Sequence, residues 1–248
     1  MSDVDVTAVA ERVMQIEFRR PPHNFFDEAL LTEVADQLLV LDEDPRASVV
    51  VLCSEGRHFC AGVDLRAVDA GGIRRVYRQA FRIFSGRKPI VAAVQGRAVG
   101  GGLGLAMAAD FRVAAPDARF TANFAKLGFH PGFGLSVTLP AAIGQQRALD
   151  LLYTGRAVDG ATAVTLGLAD ALDDDPRAAA VALAARLAES APLSLVAIRA
   201  TMRRELRARI SAALDIEADA QAALLPTDDF REGIAATIAK RVPAFRGS

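Results

Sequence analysis

The chain has 248 residues, 52% of them hydrophobic, which is enough for a substantial core in one large domain or two modest ones. Its 29 basic and 30 acidic side chains leave a formal charge of -1, which argues against a general nucleic-acid or polyanion surface and makes any anion recognition local. Two cysteines, Cys53 and Cys60, do not make a disulfide framework. The opening segment has no basic start followed by an apolar stretch, and no apolar run approaches a membrane span, so the expectation is a soluble cytoplasmic protein.

In chain order, VMQIEF (13–18) predicts a strand and 27–44 an amphipathic helix capped by Asp27. The runs at 48–54 and 89–96 are continuously apolar and of strand length, which predicts a sheet covered on both faces. A further strand is expected at 110–116, and the alternation of strands and helices gives an α/β core. From about Pro176 the composition is helical, with Pro192 suited to a first turn, Pro226 closing the long segment and Thr227 capping the next helix.

Two loops that leave strand ends stand out. The first is EGRHFCAGVDL (55–65); the second holds Gly100, Gly101 and Gly102 before an apolar helical run. Loops at strand ends are the usual place for ligand contacts in α/β sheets. Two such loops can bring backbone N–H groups together as an oxyanion hole, with the dipole of the helix starting at the glycines favouring developing negative charge. Close packing of helix on sheet explains the glycines equally well. A nucleotide loop fits less, because the segment has neither a Lys-Ser/Thr ending nor G-x-G-x-x-G spacing.

FCAGVDL followed by VQGRAVGGGLGLAMAADFRVAAPDARF resembles the paired signature of the crotonase, or enoyl-CoA hydratase/isomerase, superfamily. LLYTGRAVDGATAVTLGLADAL (151–172) and FREGIAATIAKRVPAFRG (230–247) resemble two further segments in family order. The resemblance implies a spiral of ββα turns over 1–190 holding an acyl-CoA pocket, and a helical oligomerisation region over 191–248 that builds a homotrimer or hexamer. It implies an acyl-CoA substrate with no separate cofactor or metal, and oxyanion-hole amides on Val63 and Gly101. It further places Pro22, His23, Ala61, Gly62, Asp64, Leu65, Gly100, Gly104, Phe124 and Leu127 at the substrate.

The chain departs from the family where water is activated. The two positions that hold glutamates in family hydratases hold Gly104 and Phe124 here. A missing acid or base is worth about 10² to 10⁴ in rate. Among possible replacements, His130 lies on the neighbouring loop and has a side chain suited to proton transfer, although a histidine in a Gly/Pro turn also serves as structure. Asp64 is read chiefly as ordering its turn, Cys60 as filling a buried slot, and Asn123 as a turn former beside the lost glutamate. Basic residues near the pocket mouth, Arg19, Arg20 and the tail residues Lys240, Arg241 and Arg246, are candidates for coenzyme A phosphates. Three functions remain open: a non-standard acyl-CoA reaction (decarboxylation, hydrolysis or C–C cleavage), a non-catalytic acyl-CoA-binding or regulatory role, and hydration by other groups.

Overall fold

The computed structural model describes residues 2–64 and 69–248; the expectation for Leu65 falls outside them. Strand β1 (Val4–Ala10) pairs antiparallel with β2 (Val13–Phe18), and β2 then runs parallel to β3 (Val49–Ser54). The six-stranded sheet continues through β4 (Ile90–Val94), β6 (Phe111–Ala114) and β9 (Ala171–Leu172) in the order β1-β2-β3-β4-β6-β9. A smaller sheet holds β5 (Arg97–Val99), β7 (Arg119–Thr121) and β8 (Ala157–Asp159). Strands β4 and β5 lead into helix α3 (Gly101–Ala108), and β6 and β7 into a 3-10 turn at Phe124–Leu127, which is the ββα spiral that the sequence predicts.

Every residue of β3 is buried. Val50 and Leu52 join the core with helix α1 (Glu28–Glu43), while Val49, Val51 and Cys53 face Ala180, Ala184 and Ala188 of α7 (Pro176–Ala188). Alternation with both faces covered explains the continuous apolar runs. Asp27 caps α1 by accepting the Leu30 N–H at 2.9 Å, as expected. The two thiols lie in separate apolar clusters and are free, and burial pushes both up to about 12.

Helix α2 (Ala70–Phe84) packs on α1 and on the long helix α9 (Arg204–Leu224). Helices α4 (Leu135–Ile143), α5 (Gln145–Thr154) and α6 (Gly160–Leu166) complete the centre of the chain. Pro192 opens α8 (Pro192–Met202), and Thr227 caps α10 (Asp228–Ala239), its hydroxyl accepting the Phe230 N–H at 3.1 Å. Among the described residues no single helix is long and apolar enough to cross a membrane.

Candidate active site

Three backbone contacts zip the first loop to its neighbours. Cys60 donates its N–H to Arg97 O at 2.9 Å, and Val99 donates to Cys60 O at 3.0 Å, so 60 and 98 pair as parallel strands. On the other side Phe26 donates to Gly62 O at 2.9 Å. Asn24 holds this junction from below: its buried amide donates to the Glu55 and His58 carbonyls and accepts the Arg20 N–H.

The pairing brings the Gly62 backbone against the start of α3. Gly62 has φ +89°, and a Cβ there would stand 2.8 Å from Val99 O and 3.5 Å from Gly101 N. Gly102 approaches even closer, since a Cβ on it would meet Cys60 O at 2.1 Å. Close approach of the two loops therefore demands glycine, and the result is chemical as well as steric. Gly101 N lies in the first turn of α3, where N–H groups have no intrahelical acceptor, and neither it nor Val63 N has a backbone acceptor among the described residues. Close packing thus accounts for the glycines, and it leaves the Gly101 N–H at the cavity.

Val63 and Gly101 line a cavity of about 570 Å³, within the range of small-molecule sites. Of the other expected residues, Ala61, Gly62, Asp64, Gly100, Phe124 and Leu127 line it too. Phe26, Ile73, Val76, Phe129 and Phe133 make its wall apolar, and Arg20, Asp27, Glu28, Asp69 and Arg75 give it a charged part. These charges are engaged with one another. Arg20 pairs with Asp3 and Asp27, and Arg75 with Glu28 at 2.7 Å. Burial works against ionisation of Asp27, yet the Leu30 N–H and Arg20 hold its carboxyl below the usual range. Asp69 caps α2 through the Gly72 N–H at 2.8 Å.

Four expected residues do not line the cavity. Pro22 and His23 are exposed; Pro21 lines it instead, and His23 serves through its carbonyl, which accepts the Ala61 N–H at 3.0 Å. Gly104 is buried beneath Phe133, whose Cβ lies 2.5 Å from where a Gly104 Cβ would stand. His130 is turned into its own loop, donating from Nδ1 to Pro131 O at 2.7 Å, and it is not among the cavity's walls. Helix α9 covers this loop: Gln221 Nε2 donates to His130 O at 2.8 Å, and Glu217 accepts from Gly134 N, Ser136 N and the Ser136 hydroxyl. Arg241, offered for phosphates, is paired with Glu232.

The residues that sequence reasoning missed are on α2 and α9. Tyr77 donates its hydroxyl to Gln221 Oε1 at 2.7 Å, and both line the cavity beside Gly132. Burial, with the Glu217 charge adding to it, raises the Tyr77 pKa, so the phenol stays protonated. Gln221 lies beyond residue 190, so the cavity crosses the boundary expected between core and C-terminal region. The signal for α2 was present: Asp69 as cap, then Ile73, Tyr77, Ala80 and Phe84 at helical spacing.

An apolar cavity walled by two loops that leave strand ends, one of them opening helix α3, is the kind of site where α/β proteins take small-molecule ligands. The chain belongs to the enoyl-CoA hydratase/isomerase family, whose profile matches residues 8–248. It is 33% identical over 251 residues to a "Probable enoyl-CoA hydratase" of Bacillus subtilis, covering 97% of each chain. It is 44% identical over 167 residues to "Probable enoyl-CoA hydratase EchA14" of Mycobacterium tuberculosis, a match spanning 64% of this chain and 65% of that one. The crystal structure of an enoyl-CoA hydratase/isomerase from Pseudoalteromonas atlantica superposes with a TM-score of 0.89 at 31% identity, covering 99% of this chain and 100% of that one.

Proposed function

We propose that the chain binds an acyl-CoA thioester with its carbonyl oxygen between the N–H groups of Val63 and Gly101, and that it turns the thioester over by a route other than hydration. The observation that carries this reading is the filling of the family's water-activating positions. Phe133 covers Gly104, and the Phe124 ring lies against Gly100. Each amide is worth about 2.7 to 4 kcal/mol when an oxyanion develops.

Of decarboxylation, hydrolysis and C–C cleavage, decarboxylation asks least of the protein. An α-carboxyacyl (malonyl-type) thioester loses carbon dioxide when its Cα–carboxyl bond breaks and the electron pair passes into the thioester carbonyl. The resulting enolate oxygen is what the two amides receive, and water returns a proton to Cα. No side-chain base is needed to start this; of the four carboxylates on the cavity wall, Asp27, Glu28 and Asp69 are tied up in caps and ion pairs, and Asp64 follows Val63. A non-catalytic acyl-CoA-binding role is the second reading, favoured by the retreat of His130 from the cavity.

The family likeness supports the acyl-CoA ligand, and the apolar faces of α8 and α10 that stay exposed, at Ile198, Met202 and Ile238, support assembly as a homotrimer or hexamer. The two unpaired thiols suit the cytoplasm. A mass-spectrometric screen of saturated, enoyl and α-carboxyacyl-CoA thioesters separates the readings. Carbon dioxide loss from an α-carboxyacyl-CoA supports the first; tight binding with no product from any thioester supports the second.

A further inference from the structure

A second cavity, of about 100 Å³, lies where the end of α2 meets α8 and α9. It shares no lining residue with the acyl cavity. Its charged lining consists of Arg87, Arg199, Arg203 and Arg207, and no carboxylate lines it among the described residues. Arg199 is the buried member, its side chain 6% exposed. Its Nε donates to Asp110 at 2.7 Å and its Nη1 to the Gly86 carbonyl, but Nη2 is buried with no partner. Ser85 Oγ, on the same lining, is also buried and unpartnered.

The charges around this space do not balance. Asp110 is shared, with Arg199 on one oxygen and Arg203 on the other at 2.6 Å, while Glu43 pairs with Arg87. Asp42 is spent on the backbone N–H groups of Arg87 and Lys88. Arg207 has no ion pair among the described residues, so four guanidiniums meet three carboxylates, of which Asp110 and Glu43 are already paired. Unpartnered buried donors and surplus positive charge both call for an acceptor, and water supplies no charge. The volume equals about three waters' share of liquid, which suits a small oxyanion and excludes a nucleoside or an acyl chain.

We propose that this cavity binds one tetrahedral oxyanion, a phosphate or sulfate group, through Arg199 Nη2 and Ser85 Oγ with Arg203 and Arg207 closing over it. Guanidinium forks match the geometry of such oxygens. The site is independent of the acyl-CoA reading and stands or falls without it.

Calorimetric titration of the full chain with sodium phosphate, at ionic strength held constant with chloride, tests it. One saturable site per chain is expected, displaced by sulfate and not by acetate. Arg207→Ala and Ser85→Ala should each weaken it, the former about tenfold or more because a charge-assisted contact is lost, while crotonyl-CoA affinity stays unchanged. Displacement by a nucleoside monophosphate would support the site and assign the group to a larger ligand; failure to displace would assign it to the free anion. Absence of a saturable phosphate site, or the same affinity in both variants as in the parent, would overturn the proposal.

Discussion

Phe133 stands over Gly104 so closely that a Cβ on the glycine would meet the Phe133 Cβ at 2.5 Å and its ring at 2.8 Å. Phe133 is itself fixed, 1% exposed and packed against Phe26 and Phe84 with ring centroids 5.4 and 6.2 Å away. Gly104, which the sequence resemblance sets against a hydratase glutamate, is thus closed off by an aromatic stack. Gly104→Glu alone should destabilise the fold by about 1 to 3 kcal/mol through overpacking and give no gain in hydration. Phe124→Glu adds its carboxylate on the cavity wall and should raise crotonyl-CoA hydration above the parent. Thermal melts and loss of the enoyl chromophore read the two effects; a gain in hydration with Gly104→Glu alone would show that Phe133 yields.

Gly101 faces a similar constraint from the other side. A Cβ there would lie 2.5 Å from Phe26 Cζ, so Gly101→Ala pushes on a buried ring as well as on the path of the thioester oxygen. Acyl-CoA affinity should fall and unfolding should come at lower denaturant, with about 1 to 3 kcal/mol of stability lost. Unaltered acyl-CoA binding in Gly101→Ala would remove the oxyanion site.

Glu217 links pH to the packing of α9 on the 130–136 loop. Burial raises its carboxyl pKa above the ordinary 4.5, although the Ser136 hydroxyl and the Gly134 and Ser136 N–H groups pull the other way. A raised folded pKa contributes stability that is fully present below the unfolded value and lost as pH rises through the folded one. Glu217→Gln, which cannot ionise, should gain on the parent as pH rises from 4.5 through that value. Denaturant midpoints of both proteins across this range check the sign; a parent that gains on the variant would reverse it.

Long-range contacts mark the limit of what the chain discloses in one dimension. Strands β2, β3, β4 and β6 and the capped helix α1 were legible because β-branched runs, helical spacing and Asp27 are local signals. That Val63 and Gly101 line one cavity was legible through their motifs. Strands β5, β7 and β8 were not, since three residues form a strand only when distant partners supply the register. His130 and Gly104 looked available because what covers them comes from elsewhere: Gln221 and Glu217 on α9, and Phe133 beyond the 3-10 turn. Arginine-rich α2 hid Tyr77 in a segment whose charges draw the eye to solvent.

The central claim is that the amides can hold a thioester which nothing nearby can hydrate. Steady-state hydration of crotonyl-CoA, measured beside its equilibrium binding to the same protein, tests it most directly. The account predicts saturable binding with turnover at least about a hundredfold below an ordinary enzyme's rate on the order of 10 per second. Turnover at that ordinary rate by the unaltered chain would contradict it.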